Sequence, residues 1–392
     1  MLEFNQNFLI LGIDASNIRS GGGLTHLIEL LNNYNPETYG FNQIILCAYK
    51  GTLDQLPNQS WLVKILIPSN EKNLLKRIAW QRFKMIKVFN YEKCDLIFSP
   101  GGIINSLKIP VVTMSRNMLP FEWKELKRFG ISFKTIRYMI LYFVQMKSFQ
   151  MTNGIVFLSE YAKNKILPHL KSNKNYTIIR HGINKRFFSR PRTQFALDHY
   201  TFNKPFCFTY ISIINFYKHQ WNVVSAIHRL RRDGIPISLK IVGPKYAPAF
   251  KKLKKTIKNL DPNNQFIEYV GEVPYTKLVP FYHDADAFIF ASSCENLPNI
   301  LLEAMASGLP IISSDRGPMP EVLKDAGLYF DPENIESIVQ SMKELVSSTK
   351  LRTSKALLAY DYSLEYTWEQ CASETFLFLN KIALQQSKQG SI

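Results

Sequence analysis

Two carboxylates eight positions apart, Glu295 and Glu303, fall in SSCENLPNILLEAMASGLPIISSDRGPMPE, residues 292–321. Pro298 suits the first turn of a helix, where its missing N–H costs nothing. NILLEAMAS reads as that helix, with Gly308 and Pro310 as its stop. The apolar LPIIS that follows reads as a short parallel strand buried on both faces. A helix start beside strand ends is an anion site, because unpaired N–H groups and the helix dipole favour negative charge. Two glutamates there would repel a phosphate unless each has another task. Hydrogen bonding to sugar or ribose hydroxyls is such a task, with the backbone left to hold phosphate. The chemistry indicated is recognition of a nucleotide sugar.

A second candidate is the glycine loop Ser20–Gly23, whose Gly22 and Gly23 follow a strand and open a helix. Their backbone could approach a diphosphate, although a flexible turn explains a lone GGG nearly as well. It is not a G-x-G-x-x-G fingerprint, so a dinucleotide is not indicated.

The elements that position these residues come in two series. FLILGID, IILCAY, VKILIP, LIFSP, PVVTM, TNGIVFLS and YTIIRHG are short apolar runs separated by loops or helical stretches. After a polar stretch near 189–204, FCFTYISII, ISLKIVG, QFIEYVG, DAFIFAS, LPIIS and LYFDP repeat the rhythm. This alternation predicts an α/β chain with two doubly wound parallel sheets. The expected division is an N-terminal domain over 1–195, a C-terminal domain over 203–365, and a helix over 366–388 packing back on the first. Only the tail SKQGSI reads as disordered.

Composition narrows the class further. At 392 residues and 46% hydrophobic, the chain suits two domains with substantial cores. Cysteines 47, 94, 207, 294 and 371 show neither paired nor metal-like spacing, and no signal peptide opens the chain, so a reduced, cytoplasmic protein is expected. No apolar window approaches the roughly 18 to 20 residues needed to cross a bilayer. The net charge of +17 is uneven. Residues 1–200 carry 27 Lys and Arg against 12 Asp and Glu, the remainder 21 against 19. Such asymmetry points to a polyanionic partner, with solubility as the plain alternative. Two basic segments, 73–93 and 122–151, mix aromatics with Lys and Arg, as helices at a membrane interface do. Ordinary helices with a solvated basic face fit the same composition. Nucleic acid is disfavoured, since the aromatics lie on apolar faces and no binding module is present.

The chain resembles the family 4 retaining glycosyltransferases of the GT-B fold. The resemblance is carried by the E-x7-E pair in ENLPNILLE and by EAMASGLPIISSDRGPMPEVLKDAGLYFDP after it. GIDASNIRSGGGLTHLIELL, IIRHGINKRFF and FYKHQWNVVSAI add to it. It implies two Rossmann-like domains facing a cleft, with the C-terminal helix crossing back. It implies that Glu303 holds the donor ribose, that Glu295 faces the donor sugar, and that the amides of Asn299, Ile300 and Leu301 meet the diphosphate. Lys218 in FYKHQ matches a lysine directed at the phosphates, where a cation is worth several kcal/mol to the departing oxygen. An arginine is common five residues earlier, where this chain has Ile213. Either the single lysine suffices, or His219, Arg316 or Arg116 supplies a second positive group. Arg116 and Asn117 stand where the family often has a histidine near the reacting sugar. His181–Gly182 matches an interdomain loop, with a turn as the plain alternative. Asp284 and Asp286 spell D-x-D, but HDADAFIFAS runs directly into a buried strand, as in the family, so no metal and no cofactor are expected.

The implied reaction is transfer of a hexose with retention from a nucleotide-diphosphate sugar to a saccharide acceptor. A lipid-linked acceptor at the anionic inner membrane surface accounts for the charge and the amphipathic aromatics, and would make the protein peripheral on the cytosolic face. O-antigen or a similar surface polysaccharide is the expected product. A GT-B nucleotide-sugar epimerase and a non-catalytic membrane- or sugar-binding scaffold are the alternatives.

Overall fold

A computed structural model describes residues 9–19, 21–68, 84–101, 108–171 and 173–389. Each of the thirteen apolar runs forms a strand. The first sheet contains β1 (Leu9–Asp14), β2 (Phe41–Ala48), β3 (Leu62–Leu66), β4 (Leu96–Ser99), β5 (Val111–Met114), β6 (Gly154–Phe157) and β7 (Asn175–Ile178). Its order is β3-β2-β1-β4-β5-β6-β7, and every pairing is parallel. The second contains β8 (Phe206–Ile211), β9 (Ile237–Val242), β10 (Ile267–Gly271), β11 (Ala287–Phe290), β12 (Ile311–Ser314) and β13 (Gly327–Phe330). Its order is β10-β9-β8-β11-β12-β13, again parallel throughout. Central strands such as β4, β5, β11 and β12 are buried at every residue, which is why they read as unbroken apolar runs.

Helices fill the connections, among them α1 (Gly22–Asn32), α2 (Trp123–Lys127), α3 (Phe133–Met151), α4 (Gln220–Arg232), α5 (Val279–His283), α6 (Asn299–Ala306) and α7 (Trp368–Gln389). Strand order reverses between β1 and β4 in one sheet and between β8 and β11 in the other. Crevices at the carboxyl ends of strands flanking such a reversal are where open α/β sheets bind ligands. The glycine loop follows β1, Lys218 follows β8, and Glu295 follows β11. The candidate residues therefore stand at the two switch points.

The chain divides into two compact units. One comprises Met1–Phe121, Arg137–Gly182 and Thr367–Ile392, and the other Glu122–Ile136 and Ile183–Tyr366. These bounds differ from those expected. The polar stretch before β8 packs on the second unit: Ser189 N–H donates to Ala306 O at 2.9 Å, and the buried Arg352 bonds the Phe195 carbonyl and the Gln194 side chain. Residues 122–136 also join the second unit. Arg128 and Lys124 bond Glu333, and the Phe129 ring lies 5.5 Å from that of Phe216. The helix α7 belongs to the first unit, where Phe376 packs on Tyr34 and Asn380 bonds the Tyr39 carbonyl. Of the basic segment 73–93, residues 73–83 lie outside the described residues. Its Phe89 is a core residue, seated against Gly12.

Gly182 ends the second run of unit one at a backbone contact. A Cβ there would lie 2.2 Å from Trp368 N and 2.5 Å from Thr367 C. Gly182→Ala is expected to destabilise the protein by about 1–3 kcal/mol, the range typical of overpacking insertions. Urea denaturation reads this directly, and an unchanged midpoint would show that the α7 start yields freely.

Candidate active site

In the second unit the turn after β8 is built by short polar contacts. The Asn215 side chain accepts the Phe216 N–H at 2.8 Å and starts a tight turn, and His219 at φ 49° redirects the chain into α4. Tyr210 Oη donates to the Lys218 carbonyl at 2.6 Å, and Ser293 N–H donates to the Tyr217 carbonyl at 2.8 Å. These bonds hold the β8 and β11 loops together. Lys218 is consequently buried, its Nζ paired with the Glu295 carboxylate and 4.9 Å from the centre of the Phe290 ring. Ser292 Oγ donates to the same oxygen, Glu295 Oε1, at 2.6 Å. Both bonds fall on Oε1, so Oε2 keeps its capacity to accept a hydroxyl.

Helix α6 begins four residues after Glu295. Within it Glu303 is buried, and Tyr282 Oη on α5 donates to its Oε2 at 2.7 Å. Burial pushes the Glu303 carboxyl up to about 7, although hydrogen bonds from Tyr282 and Tyr275 and the nearby Arg186 guanidinium pull the other way. Of the three amides expected to meet a diphosphate, two already have local acceptors. Asn299 N–H donates to Leu297 O at 3.1 Å and Leu301 N–H to Pro298 O at 2.9 Å. Among the described residues no backbone acceptor is paired with the Ile300 N–H.

In the first unit, Arg116 follows β5 and reaches the start of α1. Cβ atoms built on Gly23 and Gly101 would lie 2.9 Å from its guanidinium nitrogens and 2.8 Å from its Cδ. Gly23 therefore makes room for a side chain, a more specific reason for glycine than turn flexibility. Gly22 opens α1 after Gly21 at φ 67°, with no side-chain cap on the helix. Arg116 Nη1 donates to Pro100 O at 3.3 Å, and burial lowers its pKa to about 10, which leaves it charged at neutral pH. Asn117 accepts the Leu119 N–H. His181 is buried, its ring centre 4.6 Å from that of His26 and 5.7 Å from that of Trp368, so it is a packed residue and not simply part of a turn.

Two of the candidate second cations are corrected by these contacts. His219 is no second cation: it is buried, its Nε2 bonds Ser293 Oγ at 2.8 Å, and burial lowers its pKa to about 4. Arg316 is committed to Asp331 at 3.0 Å. Asp286 accepts Cys207 N–H at 2.9 Å and Tyr200 Oη at 3.0 Å, the work of a strand entry. The sequence reading also missed Tyr275 and Tyr282, which hold Glu303, and Ser292 and Ser293, which tie Glu295 and His219. The serines stand three and two residues before Glu295 and were legible as loop donors. The tyrosines, more than twenty residues upstream of Glu303, carry no such signal.

Residues 194–356 match the family model described as glycosyl transferases group 1. The matched residues lie within the second unit and form its group 1 glycosyltransferase domain. The resemblance drawn from ENLPNILLE and its flanks holds, and with two parallel α/β sheets the chain has the GT-B fold. It is 30% identical over 110 residues to an O-antigen chain mannosyltransferase B of Escherichia coli, a match spanning 28% of this chain and 29% of that relative. A capsular polysaccharide biosynthesis glycosyltransferase, CapM of Staphylococcus aureus, is 20% identical over 76% of this chain and 80% of its own length. Among solved structures, the Anabaena protein HepE in complex with UDP-glucose superposes with a TM-score of 0.65 at 14% identity, covering 97% of this chain and 100% of that one.

Glu303 gives the group 1 domain a pH dependence whose sign is fixed. The folded chain holds this carboxyl near 7 against an ordinary 4.5, so ionising it costs the native state. That cost is absent below about 4.5 and fully present above about 7. Glu303→Gln keeps a hydrogen-bonding group that does not ionise. Its stability relative to wild type should rise by up to about 3 kcal/mol across that interval, measured by parallel urea titrations. A difference independent of pH would place the Glu303 pKa in the ordinary range.

Proposed function

We propose that this protein is a retaining hexosyltransferase, moving a hexose from a nucleoside-diphosphate sugar to a lipid-linked saccharide during assembly of a surface polysaccharide such as O-antigen. The observation that carries the reading is the buried Lys218–Glu295 pair at the ends of β8 and β11, beside the start of α6 with Glu303 inside it. The UDP-glucose bound by the Anabaena protein supports the donor class, and the O-antigen and capsule relatives support the product class.

In this reading Glu303 accepts the ribose hydroxyls, Glu295 Oε2 orients the sugar, and Lys218 with the Ile300 amide meets the diphosphate. As the bond from the anomeric carbon to the phosphate oxygen breaks, negative charge develops on that oxygen and Lys218 stabilises it. The acceptor hydroxyl attacks the same face, and its proton passes to the departing phosphate oxygen. The new glycosidic bond therefore keeps the anomeric configuration. Glu295 forms no covalent bond, and the reading calls on no metal; Asp286 of the D-x-D pair serves its strand entry, accepting from Tyr200 and Cys207.

A donor panel read by released nucleoside diphosphate, with membrane extract as acceptor, tests the reaction. Glu295→Gln and Lys218→Gln should each lower turnover about 100- to 1000-fold, the scale of one preorganised electrostatic contact, while thermal melting shows the variants folded. Full turnover by Glu295→Gln would remove it from the reaction. Donor binding by calorimetry should tighten about tenfold from pH 6 to pH 8 as Glu303 ionises, and become flat in Glu303→Gln.

A further inference from the structure

Helix α3 is nineteen residues long, and only Ser148 and Phe149 in it are buried. Its large apolar residues Phe133, Ile136, Ile140 and Phe143 are 81%, 53%, 59% and 64% exposed, with Ile131 just before the helix fully so. Steps of three, four and three residues put these four in one stripe about 15 Å long. A helix of a soluble domain turns such a stripe toward the core, and a contiguous uncovered one marks an interaction surface.

Charge decides the partner. The helix contains Lys134, Arg137 and Lys147 and no acidic residue. Arg137 and Lys147 are exposed, while Lys134 Nζ sits 3.2 Å from the centre of the Tyr246 ring. A second copy of the chain pairing through this stripe would set cations only against cations. An anionic lipid surface accepts both features, with apolar side chains at the headgroup–acyl boundary and the basic groups on phosphates. Trp123 in α2, also exposed, is a residue type enriched at that depth. We propose that α3 docks the protein on an anionic bilayer surface, burying Phe133, Ile136, Ile140 and Phe143 with Arg137 and Lys147 on lipid phosphates. This helix bears none of the residues assigned to the donor, so the docking stands or falls separately from the transfer reaction.

Co-sedimentation of the full chain with vesicles tests it, using phosphatidylcholine alone and phosphatidylcholine mixed with phosphatidylglycerol. Binding to the mixed vesicles should be about tenfold tighter or more, and should weaken at high salt. Ile140→Glu with Phe143→Glu should abolish binding without lowering the melting temperature, because both sites are solvent-exposed. Arg137→Gln with Lys147→Gln should remove most of the preference for the anionic vesicles. Equal binding to both vesicles, or unchanged binding by the glutamate variant, would overturn the proposal. So would a dimer in light scattering that this variant dissociates, with no vesicle binding by wild type.

Discussion

An ammonium and a carboxylate buried together at the ends of two neighbouring strands set the terms for everything around them. Removing Lys218 and Glu295 from water costs several kcal/mol per ion, and their attraction repays this only with good geometry and further hydrogen bonds. The second unit provides both. Ser292 Oγ bonds the carboxylate, the face of Phe290 lies under the ammonium, and Tyr210 fixes the backbone that carries it. Loss of either charge alone would strand the other, a loss of about 3–5 kcal/mol. The pair therefore persists only because the β8 and β11 loops are tied to each other.

The same constraint explains why two carboxylates so close in sequence behave differently. Glu295 sits on a loop, largely shielded from water and facing a cation. Glu303 sits inside α6, deprived of water, with phenol hydroxyls as its partners, and burial raises its pKa to about 7. Enclosed in α6 and engaged by tyrosine hydroxyls, it presents less charge to a neighbouring phosphate than an open anion would. The repulsion that the bare sequence raises is thus reduced in two ways: Lys218 pairs with one acid, and phenol hydroxyls engage the other.

Much of this was legible beforehand. Thirteen strands could be read because parallel strands buried on both faces leave unbroken apolar runs, and α6 because proline and glycine bracket it. The E-x7-E spacing and FYKHQ named Glu295, Glu303 and Lys218. What stayed hidden depends on contacts far apart in the chain. Nothing in EWKELKRFGISF announces that Arg128 bonds Glu333 and carries residues 122–136 onto the second unit. Nothing in KHQW shows that His219 is buried and neutral, since that follows from packing against distant segments, Ser293 seventy-four residues away among them. The glycine loop gave the right residue for a partly wrong reason, because Gly23 clears space for Arg116.

The absent arginine at position 213 can now be weighed against its three substitutes. Ile213 is partly exposed at the end of β8, and its carbonyl accepts from Gln220, so this position adds no charge. His219 is neutral at physiological pH, and Arg316 is already bound to Asp331. Arg116 remains charged, and among the described residues no carboxylate is paired with it. It belongs to the first unit, at that unit's own switch point. Of the four positions weighed here for the second unit, Lys218 alone supplies a buried cation, and Glu295 already shares it. A dianionic ligand entering there must draw Lys218 partly away from Glu295. That exchange is favourable only if Glu295 finds a hydroxyl donor in return, which a sugar supplies.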